Sequence, residues 1–221
     1  MEVSNIEIIP TVVPTSIAEI AAAAMLHSRY ARALHIDITD GVFAPNTTWF
    51  PGEETLPAID GFIYEVHLMV SKPHAVGLRC LEVGARRIIG HIEAMGEEAS
   101  KIISAWKFAG AQEVGLGVLF QTPIEAIDAY VADIDVVQMM SIASIGVQGI
   151  PYEPSAPERI ARLHAKHPDL LIADDGGVGE SNIASLAHAG VRRFCAGSAL
   201  SKAKNPHAAY ERLLSLAQSA L

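Results

Sequence analysis

The chain has 221 residues, half of them hydrophobic, and carries a formal net charge of −9 at neutral pH. This acidic balance argues against nucleic acid or an anionic membrane as a partner, and no apolar run is long enough to span a bilayer. An anionic small molecule stays compatible with the charge, since backbone amides can bind phosphate without basic side chains. The two cysteines, Cys80 and Cys195, cannot form a disulfide framework and predict buried thiols in a reducing, cytoplasmic compartment.

Short apolar runs typical of strands alternate along the chain with patterns typical of helices. Strands are predicted over residues 6–9, 33–38, 62–70, 87–91, 113–119, 136–142, 170–173 and 192–196. Helices are predicted over residues 17–30, 54–59, 73–83, 97–108, 124–131, 157–166, 181–189 and 206–220.

Two stretches of similar sequence, 84–89 and 190–195, each read as a glycine that ends a helix, a polar turn and a strand. Repetition of this unit without a long linker predicts an α/β fold, a closed (β/α)8 or TIM barrel forming one domain over 1–221. No Gly-x-Gly-x-x-Gly follows the first strand, which disfavours a dinucleotide-binding open sheet.

Polar side chains lie within or shortly after three of the predicted strands. His35 and Asp37 lie two residues apart and therefore point to the same face of the second strand. His67 lies in the third strand, and Asp175 follows the seventh. A polar outer face on an edge strand is the alternative for His35 and Asp37 alone. Three strands with the same feature favour a site for a divalent transition metal, because buried ionisable groups are costly unless paired or metal-bound.

Small residues follow the last three strands, where barrels of this class commonly bind phosphate. Glycine lets the backbone approach an anion closely and present its N–H groups. Each glycine alone could be an ordinary turn residue, whereas three such loops on adjacent strands favour an anion site. The candidate substrate- and phosphate-binding residues here are Gly146, Gly149, Gly176, Gly177, Gly197 and Ser198, with Thr11 after the first strand.

The chain resembles the ribulose-phosphate 3-epimerase family over nearly its whole length, from Pro10 to the last helix. The strand 2 motif is the longest and most specific of those that carry the resemblance. The motifs are His-Ile-Asp-Ile-Thr-Asp-Gly-Val-Phe-Ala-Pro-Asn at 35–46, His-Leu-Met-Val at 67–70, His-Ile-Glu-Ala at 91–94, Asp-Gly-Gly at 175–177 and Ala-Gly-Ser-Ala at 196–199.

The resemblance implies a metal-dependent epimerase that inverts C3 of a ketose phosphate, by default D-ribulose 5-phosphate to D-xylulose 5-phosphate. One divalent ion, with zinc favoured over iron, manganese or cobalt, would be held by His35, Asp37, His67 and Asp175. The ion would stabilise an enediolate. Asp37 and Asp175 would exchange the proton on opposite faces of the sugar, and His67 would also contact substrate. We further expect a homo-oligomer.

Departures from the family pattern concentrate around the sixth strand. A run that is usually Met-Thr-Val-Asn-Pro-Gly-Phe-Gly-Gly-Gln is here Met-Ser-Ile-Ala-Ser-Ile-Gly-Val-Gln-Gly-Ile at 140–150, with Gln148 in place of a glycine. Thr11, Thr39 and Asp174 stand where the family has serine, methionine and valine. Asp174 would repel a phosphate unless it faces away from the barrel interior. These changes indicate a divergent member, and a different ketose, phosphorylated or not, is the first alternative substrate.

Two other classes of function stay open on sequence alone. A carbon–carbon lyase or decarboxylase on the same barrel would need a lysine beside the strand carboxylates, and none occurs in 33–38, 62–70 or 170–177. A non-catalytic sugar-phosphate binder would not need both carboxylates. His91 and Glu93 could support the metal ligands from behind, with an ordinary hydrogen bond in the core as the alternative.

Overall fold

Eight parallel strands pair in sequence order and close into a barrel. The computed structural model describes residues 6–146 and 149–221. The strands are β1 (Glu7–Val12), β2 (Ala33–Thr39), β3 (Ile63–Met69), β4 (Arg87–His91), β5 (Glu113–Val118), β6 (Val136–Met140), β7 (Leu171–Asp175) and β8 (Arg193–Ala196). The α-helices are α1 (Ile17–His27), α2 (Pro73–Glu82), α3 (Ile92–Met95), α4 (Ala99–Phe108), α5 (Ala156–Lys166), α6 (Ile183–Ala189), α7 (Ser198–Ser201) and α8 (Pro206–Gln218), with 3-10 helices at Gly96–Glu98 and Ile124–Tyr130. The predicted TIM barrel is confirmed.

The strands read as apolar runs because both of their faces are covered, one by the barrel interior and one by helices. Every residue of β2 is buried, and β2 pairs with β3 over seven consecutive residue pairs. That register places Asp37 opposite His67. The long shared ladder therefore fixes the relative positions of the polar side chains on these two strands.

Local signals set where the helices begin and end. Ser16 accepts a hydrogen bond from the backbone N–H of Glu19 at the start of α1, and the Glu19 carboxylate accepts one from the backbone N–H of Thr15. Gly190 ends α6 with φ of +119°, and a β-carbon at this position would lie 2.6 Å from His164. Among the residues that the structure describes, no helix is both long and apolar enough to cross a membrane.

The helix predicted over 54–59 is wrong, because this segment has no regular secondary structure. Pro57 lacks an N–H and disfavours helical backbone at Leu56. Tertiary hydrogen bonds hold the segment instead: Leu56 N–H donates to the Val83 carbonyl at 2.7 Å, and the Tyr64 hydroxyl donates to the Pro57 carbonyl at 2.8 Å. Residues 40–62 therefore connect β2 to β3 without a helix.

Two further helices differ in form from the prediction. The segment predicted over 97–108 is preceded by α3 and a 3-10 turn, so that helical structure begins at Ile92, directly after β4. The segment predicted over 124–131 is a 3-10 helix, Ile124–Tyr130. The early start of α3 matters for the site, since it places Glu93 in the first turn of that helix, two residues beyond the end of β4.

We expect Gly77→Ala to destabilise the protein although alanine favours helices, because the added methyl group would overlap buried side chains. A β-carbon at Gly77 would lie 2.4 Å from Trp106 Nε1 and 2.5 Å from Ile88 Cδ1. Overpacking of this kind costs about 1–3 kcal/mol. Urea unfolding measures the change, with Gly52→Ala as control because nothing lies within 4 Å of a β-carbon there. Equal unfolding free energies for the two variants would contradict this packing.

Candidate active site and metal centre

Four polar side chains from three strands converge inside the C-terminal end of the barrel. His35 and Asp37 come from β2, His67 from β3, and Asp175 ends β7. Each offers one ligand atom, and these atoms all lie within 4.8 Å of one another. The closed barrel brings β7 near β2 through β8 and β1. The structure thus brings together all four residues that the sequence predicts as metal ligands.

The distances define one centre. Asp37 Oδ1 lies 2.9 Å from His67 Nδ1 and 3.4 Å from His35 Nε2. Asp175 Oδ2 lies 3.4 Å from His67 Nδ1 and 4.0 Å from His35 Nε2. Both imidazole rings are fully buried, whereas the Asp37 and Asp175 side chains are 10% and 13% exposed. The carboxylates therefore separate the histidines from the outside.

The donor set fits a divalent ion. His35 Nε2 is buried, has no hydrogen-bond partner and faces the two carboxylates. An orphaned buried nitrogen is costly unless something binds it. Two imidazole nitrogens and two carboxylates form a ligand set that divalent transition metals accept. The cluster could bind one such ion.

Glu65 fixes the orientation of the His35 ring. Its Oε1 lies 2.7 Å from His35 Nδ1, and its Oε2 accepts a hydrogen bond from Arg193 Nη1 at 3.2 Å. Burial raises the pKa of Glu65, but the hydrogen bond from His35 and the charge of Arg193 lower it to about 2. The ionised carboxylate accepts a hydrogen bond from Nδ1–H, which leaves the lone pair of His35 Nε2 facing the cluster.

The neighbouring imidazoles also keep Asp37 ionised. Burial raises the pKa of this carboxyl group, but its contacts with His35 and His67 hold it well below its usual range. Gln138 donates from Nε2 to Asp175 Oδ2 at 3.3 Å and so orients the second carboxylate from β6. The two carboxylates thus share both histidines as neighbours, and Asp175 contacts Gln138 in addition.

A pocket opens above the centre at the C-terminal ends of the strands, with about 670 Å³ of empty space including its solvent-filled mouth. Asp37 and Asp175 line it, whereas His35 and His67 do not. No lysine or arginine is among its described lining residues. The predicted substrate-site residues that line it are Thr11, Gly146, Gly149, Gly176, Gly177, Gly197 and Ser198.

The side of the pocket formed by the strand 6 loop is apolar, with Ile142, Ile145 and Ile150 among its lining residues. Asn46 from the β2–β3 connection donates to the Gly146 carbonyl at 2.8 Å and ties the two loops together. Gln148, which stands in place of a family glycine, lies outside the described residues.

Asp174 is fully buried and is absent from the described lining of the pocket. Its carboxyl group accepts a hydrogen bond from the Ser141 hydroxyl. Burial raises the pKa of Asp174 well above its ordinary value. Asp174 and Asp175 are adjacent on β7 and point to opposite faces of the strand, so Asp174 lies away from the pocket in which it would repel a phosphate.

Sequence reasoning missed Glu65, Gln138 and Cys195. Glu65 lies two residues before His67 on β3, the same spacing that singles out His35 and Asp37 on β2. Gln138 has no such pattern. Cys195 lines the pocket, and its sulfur lies 3.5 Å from His35 Nδ1. Burial raises the pKa of this thiol to about 12.

The fold and the cluster define a TIM-barrel protein with a histidine–aspartate site that could hold a metal beneath its pocket. The profile of the ribulose-phosphate 3-epimerase family matches residues 7–201. The chain belongs to this family and is an isomerase-class enzyme, which confirms the resemblance seen in the sequence.

Curated relatives agree with the family match. A protein from Oryza sativa named ribulose-phosphate 3-epimerase, cytoplasmic isoform, is 30% identical over 204 residues, covering 90% of this chain and 89% of that protein. A ribulose-phosphate 3-epimerase from Chlamydia muridarum is also 30% identical, over 208 residues, with the same coverage of both chains.

Solved structures with the same fold are much less similar in sequence than these relatives, and they support the fold only. A 3-hexulose-6-phosphate synthase aligns with a TM-score of 0.67 and 13% identity, over 97% of this chain and 99% of that one. An orotidine 5′-phosphate decarboxylase from Pyrococcus horikoshii aligns with a TM-score of 0.64 and 14% identity, over 96% and 99% of the two chains.

We expect protein purified without chelator to contain about one divalent ion per chain, since four donors converge on one point. Metal analysis after gel filtration tests this. Loss of a residue that hydrogen-bonds a metal ligand lowers metal affinity by ~10- to 100-fold. His35→Gln removes a ligand itself, so we expect it to lower the affinity by at least as much. His188→Gln, at an exposed histidine, is the control. A metal-free protein with full activity would contradict the expectation.

Proposed function

We propose that this enzyme inverts C3 of a ketose phosphate, with D-ribulose 5-phosphate to D-xylulose 5-phosphate as the default reaction. The observation that carries the proposal is the placement of two carboxylates, Asp37 and Asp175, on the lining of one pocket. They belong to β2 and β7, which are separated around the barrel by β8 and β1. A substrate carbon between them can be reached from two sides.

Inversion at carbon requires one group to remove a proton and another to return a proton to the opposite face. The ionised Asp37 is suited to accept the C3 proton on its side, and Asp175, oriented by Gln138, delivers a proton on the other. In the reverse direction the roles exchange. When bound, a divalent ion would stabilise the negative charge that develops on the substrate oxygens after proton removal.

We propose His35, Asp37, His67 and Asp175 as the metal ligands. Zinc is favoured because mixed nitrogen and oxygen donors are typical of its sites, and iron, manganese and cobalt remain alternatives. Support comes from the orphaned His35 Nε2 and from the Glu65 carboxylate behind it. His67 belongs to the same cluster but does not line the pocket, so we propose it as a metal ligand rather than as a direct substrate contact.

We propose that the phosphate is held by backbone N–H groups of Gly176, Gly177, Gly197 and Ser198. Gly176 and Gly177 have φ of +120° and +69°, and a β-carbon at Gly176 would lie 2.8 Å from Ile142. The Thr11 hydroxyl is buried without a hydrogen-bond partner on the same pocket. The apolar strand 6 side would contribute less, which favours a different ketose as the second candidate substrate.

A lyase or decarboxylase receives less support, because no lysine is among the described lining residues of the pocket.

A cytoplasmic location is supported by Cys80 and Cys195, which are both buried free thiols. We also propose a homo-oligomer, which light scattering would test.

We expect removal of the phosphate from the substrate to reduce kcat/KM severely, because remote binding energy positions the reacting carbon. Steady-state rates on D-ribulose 5-phosphate and free D-ribulose measure this. A panel of other ketose phosphates, assayed for deuterium exchange at C3, identifies the preferred sugar. Equal rates with and without the phosphate would show that this pocket does not recognise it.

We expect Asp37→Asn and Asp175→Asn each to lower turnover by at least about 100-fold, the scale for a positioned acid–base group. The control is Asp60→Asn, at an exposed carboxylate outside the pocket. With metal retained, each site variant should exchange solvent deuterium into one epimer faster than it interconverts the two, since the remaining carboxylate serves its own face.

Mass spectrometry of both epimers, with metal content measured on the same samples, follows this exchange. Near-normal epimerisation by both variants would contradict the two-carboxylate mechanism. Loss of the ion from both variants would assign the two aspartates to metal binding first.

A further inference from the structure

A chain of hydrogen-bonding groups runs from His67 away from the metal centre. His67 Nε2 lies 2.8 Å from Nε2 of His91, the last residue of β4. His91 Nδ1 lies 3.2 Å from Glu93 Oε2, and Glu93 Oε1 accepts a hydrogen bond from the backbone N–H of Leu119 at 2.9 Å. Both imidazole rings are fully buried, and the Glu93 side chain is 20% exposed.

Each link constrains the position of one proton. A carboxylate only accepts hydrogen bonds, so the proton of a neutral His91 lies on Nδ1, toward Glu93. His91 Nε2 then accepts, and the proton that it accepts comes from Nε2 of His67. A neutral imidazole has one proton, so His67 Nδ1 keeps its lone pair. That nitrogen faces Asp37 and Asp175.

Acceptors on both sides of the ring compete for the single proton of His67. Asp37 Oδ1 lies 2.9 Å from Nδ1 and would draw the proton toward the metal centre, where it would block binding. His91 draws it to Nε2, and does so only while Glu93 keeps the His91 proton on the far nitrogen. The balance between these contacts decides whether His67 can act as a ligand.

We propose that Glu93, acting through His91, is a positioning residue that keeps the His67 proton on Nε2 and so makes Nδ1 available to the metal. This inference rests on the proposed metal-dependent function. Glu65 does the same for His35 directly, so each histidine of the centre has its own carboxylate. The ring of Phe43 lies 5.2 Å from that of His91 and helps to fix the intermediate imidazole.

Glutamine at position 93 provides an unusual test, because its two ends differ. The Leu119 N–H needs an acceptor, so the amide oxygen turns toward Leu119 and the NH2 group faces His91 Nδ1. His91 must then accept at Nδ1 and donate from Nε2. His67 Nε2 becomes an acceptor, and its proton moves to Nδ1. Alanine at position 93 forces neither arrangement.

The experiment compares wild type, Glu93→Gln, Glu93→Ala and Glu93→Asp, with Glu97→Gln as control for the same charge change at an exposed site nearby. Competition with a chelator of known affinity gives the Kd for Zn²⁺. We expect E93Q to bind Zn²⁺ about 10- to 100-fold more weakly than wild type. E93A should lose less, and E93D and E97Q least. If Glu93 only supported the packing, the truncated E93A would lose more Zn²⁺ affinity than the near-isosteric E93Q.

Nitrogen-15 NMR of histidine-labelled, metal-free protein reads the proton position directly. Wild type should carry the His67 proton on Nε2, and E93Q should carry it on Nδ1. The same tautomer in both proteins, or E93A binding Zn²⁺ more weakly than E93Q, would overturn the inference. Failure of wild type to bind any divalent ion would contradict the proposed metal centre instead, and the NMR comparison would still decide the proton placement. Should E93Q fail to fold by thermal melting, unchanged tautomer and affinity in E93A would overturn the inference.

Discussion

Charge buried inside the barrel is the constraint on which the site depends. Glu65 is fully buried, and a carboxylate in that position costs several kcal/mol unless its partners compensate. Arg193 supplies one partner at 3.2 Å and His35 another at 2.7 Å, with Arg87 at 3.9 Å. Arg193 also pairs with Glu7 and Glu113, each at 2.8 Å, at the N-terminal end of the strands. Ion pairs at one end of the barrel thus hold a histidine that serves the other end.

The same constraint explains why the histidines and aspartates have different surroundings. Both histidines are fully buried. Glu65 lies behind His35, and His91, which contacts Glu93, lies behind His67. The aspartates are partly exposed and line the pocket, so they can reach a substrate. A barrel strand provides both environments at a spacing of two residues, since His35 lies deeper than Asp37 on the same face. The residue that lines the pocket and the buried residue beneath it are therefore neighbours on one strand.

Much of the fold and of the site geometry follows from the sequence. Alternating apolar runs and helix signals predict the barrel, and the period of two on β2 places His35 beside Asp37. The error at 54–59 arises because tertiary hydrogen bonds from Leu56 and Tyr64 outweigh a weak helical pattern that contains Pro57. No local pattern distinguishes Gln138 from an ordinary core residue, because its contact with Asp175 depends on the register of β6 and β7.

The hydrogen bonds of His91 likewise depend on three-dimensional proximity. The sequence leaves open whether it supports the ligands or bonds within the core, since β3 and β4 must pair before His67 and His91 can meet. The contact of Asp174 with Ser141 could not be predicted from sequence either, because it requires the pairing of β6 with β7. The alternation of side chains along β7 directs Asp174 to the face opposite to Asp175 and away from the pocket.

The hydrogen bond from Asn46 to the Gly146 carbonyl has a consequence for how this enzyme can diversify. It joins two loops a hundred residues apart in the sequence, the β2–β3 connection and the strand 6 loop. A β-carbon at Gly146 would lie 2.7 Å from Ala44, so the two loops also constrain each other sterically. Substitutions in either loop should therefore be accepted in pairs rather than singly. Divergence toward a new sugar would leave a record of covariation between these loops, while the strand residues beneath stay unchanged.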